Sequence, residues 1–366
     1  MIVGVPREIK DGENRVALTP AGAIVLRQHG HRILLETDAG EGSGYSDDEY
    51  RSADAEIAAN AKQVWEQAQL LLKVKEPLPP EYAYLRPDLV VFTYLHLASS
   101  EGLTRALLDS GVTALGYETV QTESGTLPLL VPMSEVAGKM AVQVGARYLE
   151  CDFGGRGTLV GGVPGVPPAE VVIIGCGLVG INAAKVAMGL GAHVTILDID
   201  HERLRYLDDI MHGNVITVYS NPLTVARAAK YADLLVGAVL VPGARAPKLV
   251  TEEVVRSMKR GSVIVDVSVD QGGCVETIRP TSHSDPVYVL HGVIHYAVPN
   301  IPAAVPRTAT QALANSTIPY VLDLADHGVD EAMKRNGALR HGLNVRGGKV
   351  VHPAVAEAFG MQAAEG

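Results

Sequence analysis

The stretch "VVIIGCGLVGINAAKVAMGLGAHVTILDID", residues 171–200, decides the fold. Four β-branched residues, Val171–Ile174, read as a buried strand. Gly175, Gly177 and Gly180 then form a G-x-G-x-x-G turn that opens a helix at Leu178 and Val179. A second strand, His193–Asp198, ends on an acid 23 residues after Gly175. Strand, glycine turn, helix, strand and acid in that order predict a Rossmann dinucleotide site. Gly175 permits the tight turn, Gly177 lets backbone approach a pyrophosphate, and Gly180 lets helix and strand pack closely. The helix start offers free N–H groups and a positive dipole end to the phosphates. Asp198 can accept hydrogen bonds from ribose hydroxyls and would repel a 2′-phosphate, so NAD is expected over NADP. Arg203 leaves the alternative open, because it can accommodate a phosphate or flank the adenine. Cys176 stands at a helix start, where thiol pKa values tend to fall, but it reads as a small spacer.

Outward from this stretch, short apolar runs alternate with helical segments on both sides. The first series of strands is read at Ile2–Val5, Arg32–Glu36, Leu70–Val74, Leu89–Thr93 and Val112–Gly116. The second comprises Val171–Gly175, His193–Asp198, Asn214–Tyr219, Leu234–Val239, Val263–Val267 and Tyr288–Leu290. That alternation predicts an α/β chain with two doubly wound parallel-sheet domains. Long helices are expected over 132–150 and beyond 305, with a glycine- and proline-rich connector at 154–168. The expected division is a discontinuous substrate domain, 1–130 with 305–366, into which a nucleotide domain, 131–304, is inserted.

Composition narrows the partners. Basic residues number 31 and acidic residues 41, and no basic run stands out, so nucleic acid is not expected as a partner. No stretch is apolar enough to predict a membrane span or a signal peptide. Cys151, Cys176 and Cys274 are scattered and odd in number, which suits a reducing, cytoplasmic setting.

Loops that leave strand C-termini should line the ligand crevice of each sheet. In the second domain these are Ser220, Val239–Leu240, Val267–Ser268–Val269–Asp270 and the segment "AVPNIP" at 297–302. In the first, "GVPREIKDGENRVALTP" carries five charged residues before Arg15, a composition normal for solvated surface. Arg15 is followed by apolar "VAL", which predicts an inward-pointing guanidinium able to fork a carboxylate. Lys73 and Lys75 stand at one strand's exit, spaced by two and so expected on one face, and Tyr94 and His96 lie just past the next strand. If those strands are neighbours, Lys75 and His96 converge; a surface lysine and a capping histidine are the plainer reading.

Long motifs carry a resemblance. "GVPREIKDGENRVALTP", "KVKEP", "YLHLA", "PMSEVAGKMAVQVGARYLE", "VDVSVDQGGCVET" and "VPNIPAAVPRTATQALANSTIPYV", with the glycine turn between them, resemble the alanine dehydrogenases from end to end. The wider group includes a nicotinamide nucleotide transhydrogenase subunit and saccharopine-cleaving, lysine-forming dehydrogenases. The resemblance implies oxidation of L-alanine with NAD to pyruvate, ammonia and NADH, reversibly. It implies that Arg15 and Lys75 bind substrate and that His96 and Asp270 form the catalytic pair. It further assigns NAD contacts to Ser134, Asp198, Arg203, Ser220, Val239, Leu240, Val267, Ser268, Val269, Asp270, Arg279, Val298, Pro299, Asn300 and Ile301. Where this chain has Arg203, family members often carry lysine. A homo-oligomer, commonly a homohexamer, is implied as well.

On this reading His96 exchanges protons with water and the leaving amine, as a histidine of ordinary pKa about 6.5 can. Asp270 orients water or amine, and closure over the bound pair excludes water. No metal is expected; Asp323 and His327, four apart on a helix, read as a helix-surface pair rather than a weak divalent-ion site. The alternatives are a transhydrogenase-like subunit, a dehydrogenase for a longer amino acid, and a catalytically silent nucleotide binder.

Overall fold

A computed structural model describes residues 1–211, 213–240 and 245–364. The chain forms two compact units, one of residues Met1–Met133 with Val305–Gly366 and one of Ser134–Ala304. The strands in chain order are β1 (Ile2–Val5), β2 (Arg32–Glu36), β3 (Glu56–Ala58), β4 (Leu70–Leu72), β5 (Val90–Thr93) and β6 (Thr113–Gly116). They continue with β7 (Glu170–Ile174), β8 (His193–Asp198), β9 (Val215–Tyr219), β10 (Leu234–Gly237), β11 (Val263–Asp266), β12 (Val287–Leu290) and β13 (Val293–Tyr296). The last two are β14 (Leu343–Arg346) and β15 (Lys349–Val350).

The first unit is built on one sheet in the order β3-β2-β1-β4-β5-β6-β14-β15. Strands β1–β6 are parallel, and β14 runs antiparallel to both β6 and β15. Its central strands are almost wholly apolar, LLL in β4 and VVFT in β5, because both faces are covered. In β4, Leu70 and Leu72 enter the core on one face and Leu71 the core on the other. Helix Pro306–Arg335 supplies Ala309, Leu313, Val321 and Leu324 to the first core. Helices Ala61–Gln67 and Glu101–Ser110 supply Val64, Trp65, Leu103 and Leu107 to the second. The long helix expected beyond 305 is present: it starts at Pro306 and is interrupted at Gly328, whose φ of 72° and ψ of 167° are not helical, and a second helical stretch follows to Arg335.

The second unit has the sheet order β12-β13-β11-β10-β7-β8-β9, parallel except for β12 against β13. Both units thus wind outward in two directions from a central pair, β1 and β4 in one, β7 and β10 in the other. Where the winding reverses, adjacent loops part and leave a crevice at the strand C-termini. The sequence reading leaves out β3, β13, β14 and β15. It also extends β4 to Val74, whereas the ladder stops at Leu72, so Lys73–Lys75 lie beyond the strand.

Candidate functional site

In the second unit the glycine turn sits at the point of reversal. Gly175 has φ of 107°, and a Cβ there would collide with the Ala238 carbonyl at the end of β10. A Cβ at Gly180 would overlap the carbonyl oxygen of Gly175, so only glycine lets the helix Leu178–Gly189 start this close to β7. Gly177 is the N-cap of that helix, and a Cβ on it would meet nothing within 4 Å. The turn is therefore closed on the protein side and open where a pyrophosphate would lie, a cradle that fits a dinucleotide.

Asp198 ends β8 beside this turn. Its Oδ2 accepts from the N–H of Cys176 at 2.6 Å and its Oδ1 from the N–H of Asp200 at 2.9 Å, so the acid shapes the turn. Burial, reinforced by the Asp198 charge, pushes the Cys176 thiol up to about 11, which leaves it protonated and a spacer. Arg203 is exposed, with its Nε 3.3 Å from Asp200. Ser220, after β9, donates its N–H to the Asp198 carbonyl at 2.9 Å. Val239 donates to the Ser268 hydroxyl at 2.9 Å, joining the loops that leave β10 and β11, and Leu240 beyond it is exposed.

The turn Val267–Gln271 stands on buried Asp266, which accepts the N–H groups of Ser268, Cys274 and Val275. Val269 is buried, whereas Val267 is half-buried and Asp270 is exposed. After β13, Val298 and Ile301 are buried, with Pro299 and Asn300 half-buried between them. Asn300 adopts the left-handed conformation, φ 57°. Ser134 is half-buried in helix Val131–Tyr148. Arg279 lies apart from these loops in one respect: its guanidinium sits 4.4 Å over the Tyr288 ring of the β12–β13 hairpin.

In the first unit, β4 and β5 are paired neighbours, so the loops carrying Lys75 and His96 leave one sheet edge together. Arg15 is 2% exposed, as inward as expected. Its fork is not open, however. Nε and Nη2 bind Glu13 at 2.7 and 2.6 Å, and Nη1 lies 3.1 Å from the Met133 sulfur. The "solvated" loop thus contributes a buried ion pair that fixes the guanidinium in place.

Both lysines are buried, against the reading of a surface lysine. Lys73 Nζ contacts Glu8 at 3.1 Å and Glu81 at 2.9 Å, with all three side chains at 5% exposure or less. Spacing by two places side chains on one face only within a strand, and these residues lie past its end. Glu8 Oε1 accepts the N–H groups of Val74 at 2.6 Å and Lys75 at 3.3 Å. Lys75 stays separate from Lys73, and its pKa is lowered by burial and then by the charges of Arg15 and Lys10. The Lys75 carbonyl accepts from the Thr93 hydroxyl at 3.0 Å, tying the two loops together.

His96 is exposed and has a left-handed backbone, φ 50° and ψ 36°. Its ring stacks on Tyr94, whose hydroxyl donates to the Leu129 carbonyl at 2.6 Å. Glu8, Glu13 and Glu118, which grip these loops, are absent from the sequence reading. Strand order places Glu8 beside Lys75 and Glu118 beside His96, whereas Glu13 is a sequence neighbour of Arg15. Asp323 accepts from the Asn336 amide at 3.1 Å, and His327 is exposed. Among the described residues no group of three or more His, Cys, Asp or Glu is placed to hold a metal ion, and no helix is long and apolar enough to cross a membrane.

Known proteins resemble the chain throughout. Residues 4–137 match the model for the alanine dehydrogenase/PNT N-terminal domain, and residues 141–353 match that for the C-terminal domain. The chain is 58% identical to alanine dehydrogenase of Bacillus subtilis (strain 168), covering 99% of this chain and 96% of that protein. It is 56% identical to alanine dehydrogenase of Methanococcus maripaludis, covering 99% and 97%. A solved L-alanine dehydrogenase superposes with a TM-score of 0.96 at 53% identity, covering 98% of this chain and 99% of that one. A transhydrogenase from Sinorhizobium meliloti gives 0.83 at 25% identity, covering 97% and 100%. On matches that span both units, the chain belongs to the alanine dehydrogenase/PNT family.

Proposed function

We propose that this chain is an NAD-dependent L-alanine dehydrogenase, which oxidises L-alanine reversibly to pyruvate, ammonia and NADH. The family, the shared identity with alanine dehydrogenases and the α/β architecture support an amino-acid dehydrogenase. The observation that carries the choice of chemistry is the gathering of Arg15, Lys75 and His96 on loops at one sheet edge of the first unit.

The glycine turn 175–180, Asp198, Ser220 and the loops after β10, β11 and β13 would hold the nucleotide, with Asp198 favouring a free 2′-hydroxyl. NAD, when bound, supplies the hydride acceptor. Arg15, locked by Glu13, is a desolvated fixed cation for the substrate carboxylate. Lys75 adds a second cation that polarises the carboxylate or carbonyl oxygen. Oxidation at Cα leaves an imine, to which water adds. His96 takes the proton from that water and returns it to the amine, so that ammonia leaves as the carbonyl forms. Asp270 orients water or amine and balances the charge. The working form is a homo-oligomer, commonly a hexamer in the family the sequence resembles, and cytoplasmic; free, unpaired Cys151, Cys176 and Cys274 suit that setting.

The variant His96→Ala tests this. Its kcat for L-alanine oxidation should fall by on the order of 10²–10⁴ while NAD affinity is kept. An unchanged kcat would remove His96 from the reaction.

A further inference from the structure

We propose that Glu118 is the positioning residue for His96, fixing the catalytic imidazole by gripping the backbone of its loop rather than by touching substrate. This inference rests on the proposed role of His96. Thr93 at the end of β5 is in register with Gly116 at the end of β6. The parallel pairing therefore brings Leu95 and His96 beside Glu118, two residues past the end of the neighbouring strand.

The Glu118 carboxylate accepts two consecutive N–H groups. Leu95 N lies 3.1 and 3.2 Å from its two oxygens, and His96 N lies 2.6 Å from Oε1. From the other side, the His96 carbonyl accepts the N–H and the hydroxyl of Ser99 at 3.1 and 2.9 Å. Between these clamps His96 holds φ of 50°, a left-handed conformation that a side chain with a Cβ adopts only when its surroundings impose it. The imidazole itself is exposed, and its ring contact is with Tyr94. Its direction is therefore set chiefly by the backbone. If the two N–H groups lose their acceptor, the residue can relax to negative φ, and the ring then swings away from Tyr94. A misplacement of about 1 Å can cost on the order of 10²-fold in rate.

What matters on this account is reach and acceptor geometry, because Oε1 alone lies within hydrogen-bond distance of both N–H groups. Glutamine keeps that oxygen, aspartate keeps only the charge, and alanine keeps neither. The test is steady-state kinetics with L-alanine and NAD on the full chain and on Glu118→Ala, Glu118→Gln, Glu118→Asp and His96→Ala, with NAD affinity measured by calorimetry. Glu118→Ala should lose roughly 10- to 100-fold in kcat with unchanged NAD affinity. Glu118→Gln should stay within about threefold of the parent, and Glu118→Asp should resemble Glu118→Ala. A Glu118→Ala kcat within about twofold of the parent overturns the inference. So does the reversed order, with aspartate active and glutamine inactive, which would assign the effect to charge. If Glu118→Ala does not fold, the order of the glutamine and aspartate variants decides. A parent inactive on L-alanine, or a fully active His96→Ala, removes the proposed function and this inference with it. An active parent and an inactive His96→Ala beside an unaffected Glu118→Ala removes the inference alone.

Discussion

At the scale of the residue, buried charge is concentrated under the loops proposed to carry the chemistry. Lys73 is enclosed with Glu8 and Glu81, and burial raises the Glu8 pKa while the Lys73 charge opposes it. Removing one partner of such a group strands the others without compensation. Lys73→Met should therefore lower stability at neutral pH by about 3–5 kcal/mol, measured by denaturant unfolding. The loss should shrink on acidification. In the variant the Glu8 pKa in the folded state stands further above its unfolded value, so the folded state binds more protons and stability falls as pH rises between the two values. A loss that is the same at pH values above and below the carboxylate range would contradict this. Little of it was legible in the sequence. Arg15, Lys75 and His96 could be singled out as polar side chains after strands, but most of the acids that hold them are distant in sequence. Glu8 is 67 positions from Lys75, and Glu118 is 22 from His96. Only Glu13, two residues before Arg15, lay close enough to suspect.

At the scale of the element, the glycine turn divides its labour in a way that single substitutions separate. The Cβ of Gly180→Ala would overlap the Gly175 carbonyl and force the helix off β7, a change that should cost about 1–3 kcal/mol of stability. Gly177→Ala adds its methyl to open space, and stability should change by less than about 1 kcal/mol. Its NAD dissociation constant should nonetheless rise roughly tenfold or more, about 1.4 kcal/mol. Thermal unfolding and calorimetric titration of the two variants check the contrast, and equal effects of Gly177→Ala on both would contradict it. The strand–turn–helix–strand unit was readable because local pattern alone fixes it. Of the antiparallel hairpin strands only β12 was read, although both hairpin turns carry a signal. Both hairpins close through two residues of positive φ, His291–Gly292 and Gly347–Gly348, the geometry that twists with its strands. Strand β3 has three residues and no such mark.

At the scale of the whole molecule, each unit repeats one winding scheme, with the proposed site loops at or next to the point where that winding reverses. The two crevices differ in what lines them. The second unit presents a glycine turn open at Gly177, with Asp198 beside it, suited to a nucleotide. On the proposed function, the first supplies Arg15, Lys75 and His96 to a small carboxylate whose neighbouring carbon exchanges amine for oxygen. The α/β class could be read from the alternation of apolar runs. The pairing of β4 with β5, on which the meeting of Lys75 and His96 depends, could be posed but not decided without the sheet order. The most direct test is NADH absorbance from the unmodified chain mixed with NAD and L-alanine, with L-lysine and a second nucleotide acceptor as parallel samples. NADH should accumulate with L-alanine, and pyruvate with ammonia should reverse it. No NADH from L-alanine, with hydride passing between two nucleotides instead, would contradict the account.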